Sequence, residues 1–389
     1  MRIAFTCASL EPGCDGVGDY ARRLAGECAR QGHAATLVGL NDAFVHDCRE
    51  EAQQDGAVSL EALRLPRAMP WRSRVERIRT WMETFAPDWV SLQYVSYGFH
   101  PKGLPAAFAR RLREAIGSRR LHLMMHELWV GEELEASWRR RSIGRLQRLV
   151  ILRSVCRLRP DCIHTQAMPY RELLHRHGIE AQLLPLFGGI PVSVSNPDNW
   201  FWRRLESADR AFAQSDRGSW LIACIFGSIH AEWDSKVVWT YLLPEAQRRR
   251  QRPVVVSIGR KGTVGLAVWN AMVSSRPSAA MFVDLGELPA EQISWMLQET
   301  DIGLATTPWP VIEKSSSAAA FLDHGIPVLV SREDSTFRRV PSDPAVPLDR
   351  AVRLRDLVAG RRELPAKVPP RSRLPAVAGE FLRALADAA

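Results

Sequence analysis

The segment Glu313-Lys314-Ser315-Ser316-Ser317, followed by Ala318, Ala319 and Ala320, sets an acid, a cation and three hydroxyls at the head of an apolar pattern. A helix starting near Lys314–Ser316 aims its unpaired first-turn amides and positive dipole end at whatever lies before it. Lys314 adds a point charge, and the serine hydroxyls add donors. The alanines let such a helix pack closely on a sheet. The combination suits an anion; the plainer alternative makes the serines N-caps of a structural helix. Lysine is scarce here, five residues against 47 arginines, which favours a used lysine at 314.

Two further places could do chemistry. Gly13, Gly16 and Gly18 follow the first apolar run, Arg2–Cys7, and precede a helical pattern starting near Asp19. Their G-x-x-G-x-G spacing is neither the dinucleotide fingerprint G-x-G-x-x-G nor the P-loop. Glycines there let backbone approach a ligand, or simply make a tight strand–helix turn. His126-Glu127 closes the run Leu121–His126, and imidazole can both donate and accept hydrogen bonds. A backbone-satisfied core histidine is the competing reading. Tyr94 and Tyr97, at the end of Trp89–Val95, are pocket or packing aromatics.

The elements that must carry these residues are short apolar strands alternating with amphipathic helices. Strands are predicted at Arg2–Cys7, Ala35–Leu40, Trp89–Val95, Leu121–His126, Cys162–Gln166 and Ala181–Leu186, then Trp220–Ser228, Val254–Gly259, Ala280–Gly286, Ile302–Thr307 and Pro327–Ser331. Ile78, Trp81, Met82 and Phe85 share one helical face, and Glu291–Glu299 reads as another helix. Near-continuous apolar strands between helices imply parallel sheets covered on both sides. With 389 residues, 46% of them hydrophobic and 24% charged, two folded domains are expected and disorder is excluded. The boundary is placed near residues 188–200, in the Gly-, Pro- and Ser-rich stretch 187–198. The expected layout is 1–190, 200–370 and a tail, 371–389, ending in a helix near Ala376–Ala388 that crosses back to the first domain. Ligands on doubly wound sheets bind at the carboxyl ends of the strands.

The run Gly16-Val-Gly18-Asp19-Tyr-Ala-Arg-Arg-Leu-Ala after a first strand resembles the opening of the GT-B glycosyltransferases, especially the retaining bacterial type. Pro87-Asp-Trp-Val-Ser-Leu-Gln-Tyr94, Leu121-His-Leu-Met-Met-His126, and Asp301-Ile-Gly-Leu-Ala-Thr-Thr-Pro with Gly325-Ile-Pro-Val-Leu-Val resemble its other signatures in order and spacing over residues 1–335. The resemblance implies an α/β architecture of two Rossmann-like domains facing across a cleft. It implies an enzyme moving a sugar from a nucleotide-diphosphate donor, such as a UDP-sugar, to a hydroxyl acceptor with retention.

On this resemblance His126 and Glu313 are the catalytic candidates. Gly16, Gly18, Lys236, Lys314, Ser315, Ser316 and Ser317 fall where the donor diphosphate binds. Gly227, Gly286, Glu287 and Leu288 fall where the nucleoside lies, and Asp19, Tyr94, Tyr97 and Glu127 on the acceptor side. Two departures stand out. The E-x7-E pair is incomplete: counted either way, its second acid falls on Ala320 or Phe321. After the strand at Trp220–Ser228, Ser228 occupies the place of a diphosphate-binding arginine, with His230 nearby. No Asp-x-Asp motif is present, so neither metal nor other cofactor is expected; the nucleotide sugar is a substrate.

From Lys102 to Arg176 there are 16 basic and 7 acidic residues, and the whole chain carries +9. A solvated face is the ordinary meaning of such a run. In the family it resembles, a basic N-terminal domain often docks on anionic lipid, which would bring a lipid-linked acceptor within reach. Nucleic-acid binding is the rival use of the charge, but no recognised motif supports it and none is expected. The seven scattered cysteines form no C-x-x-C pair, and together with the absence of a leader or spanning segment they point to the cytoplasm, peripheral to the inner membrane at most. A non-catalytic sugar-nucleotide or glycan-binding protein on the same fold is the alternative from another class.

Overall fold

A computed structural model of the chain describes all residues except 195–198, 209, 214, 276, 339, 342, 346 and 347. The end of the 187–198 stretch, expected to be linker, lies outside the described residues. The chain forms two compact units. Unit 1 is Met1–Pro185, Thr336–Pro341 and Leu374–Ala389; unit 2 is Leu186–Ser335 and Ser342–Arg373.

Among the described residues, unit 1 has strands β1 (Arg2–Cys7), β2 (Ala34–Asp42), β3 (Arg49–Asp55), β4 (Val58–Pro66), β5 (Trp89–Tyr94), β6 (Arg120–Met125), β7 (Cys162–Thr165) and β8 (Gln182–Leu183). They form one sheet in the order β3-β4-β2-β1-β5-β6-β7-β8, parallel except for β3, which runs antiparallel to β4. The chain leaves β1 toward β2, then returns to the other side at β5. The carboxyl ends of β1 and β5 are therefore the switch point of this sheet. The Leu374–Asp387 helix packs beside the Gly16–Arg30 helix, with Phe381 against Phe5 at 5.7 Å between rings.

Unit 2 has β9 (Trp220–Phe226), β10 (Arg252–Ile258), β11 (Met281–Gly286), β12 (Ile302–Ala305), β13 (Val328–Val330) and β14 (Ala351–Arg353), in the order β11-β10-β9-β12-β13-β14. Its switch point lies at the ends of β9 and β12. Burial on both faces explains the unbroken apolar strands. Trp220, Ile222, Cys224, Val254, Val256 and Ile258 enter one core cluster, and Leu221, Ala223, Ile225 and Val255 enter another. Successive side chains point to opposite faces, so each strand feeds two cores.

The predicted strands are present with ends shifted by a few residues. The β3–β4 hairpin was not among them. Arg49–Asp55 reads Arg-Glu-Glu-Ala-Gln-Gln-Asp, an edge strand whose polar residues largely face water, and Gly56 turns the chain at φ +62°.

Close packing makes some glycines obligatory. In the Trp138–Leu158 helix, a Cβ on Gly144 would run into the Val130 carbonyl oxygen. Gly144→Ala should therefore destabilise the chain by about 3 kcal/mol, the upper end for overpacking. A lowered urea midpoint with unchanged slope is the expected readout.

Candidate functional site

At the switch point of unit 1, the loop after β1 is tied down from beneath. Asp42, at the end of β2, accepts from the Ser9 hydroxyl (3.0 Å), the Leu10 amide (3.1 Å) and Arg64 Nε (2.8 Å). Arg64 also pairs with Glu11 and Glu51. Burial opposes the charged Asp42 carboxylate, yet the hydrogen bonds from Arg64, Phe44 and Leu10 hold its pKa below the ordinary 3.8. Gly18 is required because a Cβ there would strike the Ser9 carbonyl oxygen.

The amides at the start of the Gly16–Arg30 helix already face a carboxylate. Asp15 is the N-cap and its Oδ1 accepts from both Val17 and Gly18 amides at 2.9 Å. Burial raises the pKa of Asp15, against the pull of those two amides. Asp19 accepts from the Gly13 amide (3.1 and 3.2 Å) and from Arg22 (2.6 Å), closing the loop on itself. A diphosphate approaching Gly16 and Gly18 thus meets Asp15 and Asp19 first.

His126 is buried just beyond β6, and both ring nitrogens face glutamines: Nε2 lies 2.9 Å from Gln93 Oε1, and Nδ1 lies 3.4 Å from Gln166 Oε1. Tyr20 from the glycine-loop helix sets its ring edge-on to the imidazole at 4.9 Å. Gln93 Nε2 donates to Ser91 Oγ (2.8 Å), which contacts His122 Nδ1 (2.8 Å), and His122 Nε2 meets His164 Nδ1 (3.0 Å). A buried polar chain therefore runs behind His126 across β5, β6 and β7. Burial keeps His122 and His164 neutral at pH 7; for His164 it lowers the pKa to about 4. Tyr94 sits in the core against the stacked pair Phe99 and Phe108, and burial raises its phenol pKa. Tyr97 is exposed, its hydroxyl accepting from Gln147 (2.8 Å). Glu127 is half-buried beside His126.

In unit 2 three loops meet at the strands' carboxyl ends. Thr306, after β12, donates to the Ser228 carbonyl after β9 (3.1 Å), and Trp233 Nε1 donates to Ser331 Oγ after β13 (2.9 Å). The Trp309 amide donates to the Arg332 carbonyl (2.9 Å). A 3-10 segment, Trp309–Lys314, kinked at Val311, leads into the Ser316–Asp323 helix. Gly303 seats that helix: a Cβ there would lie 2.5 Å from the Phe321 ring.

Ser315 is the N-cap. Its hydroxyl accepts from the Ala318 amide (3.3 Å), receives Thr307 Oγ1 (3.0 Å) and lies 3.2 Å from Ser317 Oγ. Ser316 is exposed, and Lys314 is partly exposed. Glu313 is buried and accepts from the Ala345 amide (3.0 Å). Ala320 and Phe321 are fully buried core residues.

Arg332 is buried beside this helix start. It donates to Thr306 O (3.2 Å) and holds Asp334 with a two-pronged ion pair. Burial, then the charges of Arg332 and Lys314, lower the pKa of His230, with Glu232 and Asp334 opposing. His230 therefore lies within electrostatic range of two cations, Lys314 and Arg332, and of two acids, Glu232 and Asp334. Lys236 is exposed, its amide donating to Asp234.

Gly227, Gly259 and Gly286 all turn at positive φ (+81°, +95° and +65°) at the ends of β9, β10 and β11. The Gly259 amide donates to Gly286 O (2.7 Å), leaving a bare backbone ledge. Glu287 is paired with Arg260, and Lys261 with Asp284 (2.6 Å). Leu288 packs against the core.

No family model matches the chain, and no curated protein does. Solved structures match over its whole length. The catalytic domain of starch synthase IV from Arabidopsis thaliana, bound to ADP and acarbose, has a TM-score of 0.53 at 11% identity, covering 100% of this chain and 99% of that one. HepE from Anabaena, in complex with UDP and glucose, gives 0.54 at 11% identity and 99% of each chain. A UDP-forming trehalose-phosphate synthase from Burkholderia xenovorans gives 0.51 at 12%, covering 100% and 97%. The fold is GT-B. At such identities the match concerns architecture, and the chemistry of this GT-B chain rests on its own residues. Arg332 escaped sequence reading because nothing in Ser331-Arg332-Glu333-Asp334 separates it from a solvated turn. Gln93 and Gln166 escaped because their partner lies on another strand; their place two residues apart from Ser91 and His164 on one strand face was the available signal.

Proposed function

We propose that the chain is a glycosyltransferase that moves a sugar from a nucleotide-diphosphate donor to a hydroxyl acceptor, unit 2 taking the donor and unit 1 the acceptor. The observation that carries this reading is the start of the Ser316–Asp323 helix, capped by Ser315 and preceded by the partly exposed Lys314, at the strands' carboxyl ends in unit 2, where Arg332 donates to Thr306 O. The first-turn amides and Lys314 receive the leaving diphosphate, and Arg332 supplies the guanidinium missing at Ser228. Protein cations neutralise the leaving group in this reading, without a bridging metal. The Gly227–Gly259–Gly286 ledge takes the nucleoside through its backbone. Glu313 acts by holding the 345 loop, and His126 through the orientation that Gln93 and Gln166 give it. Retention rests on the resemblance of the opening loop.

A second reading, a binding protein without turnover, is favoured by one observation: apolar core fills the places of the second acid, Ala320 and Phe321. A thermal-shift panel of UDP, ADP, GDP and their sugars separates the two. Stabilisation together with slow donor hydrolysis supports the enzyme; stabilisation without hydrolysis or transfer supports the binding protein; no nucleotide response overturns both.

The acceptor side has its own surface. On the Trp138–Leu158 helix, Trp138, Ile143, Leu146 and Leu149 are exposed among exposed Arg139, Arg145 and Arg153. This pattern fits the interface of an anionic bilayer, to which each cation contributes about 1 kcal/mol, and a lipid-linked acceptor. Among the described residues no helix is long and apolar enough to cross a membrane. The chain should co-sediment with phosphatidylglycerol vesicles and not with phosphatidylcholine. Trp138→Glu with Leu146→Glu should weaken this by about tenfold or more, given the apolar area involved. Equal pelleting of parent and variant would remove membrane contact from the account.

A further inference from the structure

The polar chain behind His126 ends in a group that glycosyl transfer does not use. His122 on β6 and Cys162 and His164 on β7 each bring one ligand atom within 4.8 Å of the others, and all three are buried. We propose that His122 Nε2, His164 Nδ1 and Cys162 Sγ bind a single Zn(II) ion.

The strands dictate the arrangement. β6 and β7 are parallel neighbours with His122 paired to Cys162. Cys162 and His164, two residues apart, share a face, and His122 sits beside them on the same face. Zinc–nitrogen bonds of about 2.0–2.1 Å and zinc–sulfur bonds of about 2.3 Å place tetrahedral neighbours about 3.4 Å apart for N···N and about 3.6 Å for N···S. Here Cys162 Sγ lies 3.6 Å from His164 Nδ1, and His122 Nε2 lies 3.0 Å from the same atom. The edge from Cys162 Sγ to His164 Nδ1 already has the bound spacing, the edge from Cys162 to His122 lies within 4.8 Å, and the imidazole edge must open by about 0.4 Å. A supporting contact is also in place: Ser91 Oγ, 2.8 Å from His122 Nδ1, orients the ring and is placed to accept its Nδ1–H when the ion is bound. Phe381, 5.0 Å from His122 ring to ring, covers the group with an aromatic edge.

Without an ion, the two imidazoles share one hydrogen between Nε2 and Nδ1. Binding turns both nitrogens into lone-pair donors, so that hydrogen moves to the outer nitrogen of its own ring, and the Cys162 thiol releases one proton to solvent. The bound ion then holds His122 Nδ1–H toward Ser91, and through Gln93 it fixes the far end of the chain at His126. The site would stand even if the chain transferred no sugar.

The test uses full-length protein isolated from cells grown with added zinc or cobalt. One equivalent of metal should survive gel filtration. The cobalt form should show a thiolate-to-metal charge-transfer band in the near ultraviolet. Cys162→Ser should lose the band, while Cys156→Ser, an exposed cysteine, should keep it. X-ray absorption on the parent zinc protein gives a second readout that no variant's folding can affect: two imidazole nitrogens and one sulfur in the first shell. A metal-free parent, a band that persists in Cys162→Ser, or a shell of oxygens or of several sulfurs would overturn the proposal.

Discussion

Lys314→Ala and Arg332→Ala should each lower kcat/KM for donor turnover by about 10²–10³, the usual effect of removing one preorganised group that meets charge developing on a leaving oxygen. Nucleoside diphosphate binding should weaken in parallel, whereas binding of the nucleoside alone should not. The two changes should combine less than additively. Both cations are assigned to the same leaving diphosphate, so the loss of one changes what the other contributes. Arg332→Lys should recover little, because a lysine cannot donate to Thr306 O while keeping the two-pronged hold on Asp334. Unchanged binding in both alanine variants, with folding intact, would move the diphosphate away from this helix.

Arg64→Ala should cost about 3–5 kcal/mol, because it strands the fully buried Asp42 carboxylate and frees Glu11 and Glu51 from their shared partner. The pH dependence follows from the same pair. In the parent, Asp42 titrates below its ordinary 3.8, so its contribution is present above that value and is lost as pH falls through the lower folded pKa. In the variant the Phe44 and Leu10 amides still bond the carboxylate, but without Arg64 burial is less opposed, so the folded pKa rises relative to the parent and the stability that Asp42 contributes above 3.8 shrinks. The gap between parent and variant in urea midpoint should be widest near neutrality and shrink below about pH 4. A gap independent of pH would mean that Arg64 acts only by packing. The loop between β1 and the Gly16–Arg30 helix should loosen in the variant, since Asp42 holds Ser9 and Leu10.

The architecture was legible in the sequence because burial on both faces writes each parallel strand as an apolar run, as at Trp220–Phe226 and Arg252–Ile258. The Arg49–Asp55 strand was not, because an edge strand facing water carries no such signal. The site was legible where one segment holds several groups together, as at Lys314–Ser317. It was hidden where a partner lies far along the chain. Arg332, after β13, reaches the Thr306 carbonyl after β12. His126 reads as either a site residue or a backbone-satisfied core histidine until Gln93 and Gln166 are seen on its two nitrogens. Asp15 shows a subtler limit: glycines at a helix start announce open amides, but a carboxylate one residue before Gly16 can take them first.

The most direct test is a structure of the full chain with the nucleoside diphosphate that stabilises it best. β-Phosphate oxygens are expected within hydrogen-bond distance of Lys314 Nζ and the backbone amides of Ser316 and Ser317, with the guanidinium of Arg332 alongside. Phosphates bound instead at the Gly13–Gly18 loop, or no nucleotide bound at all, would contradict that placement.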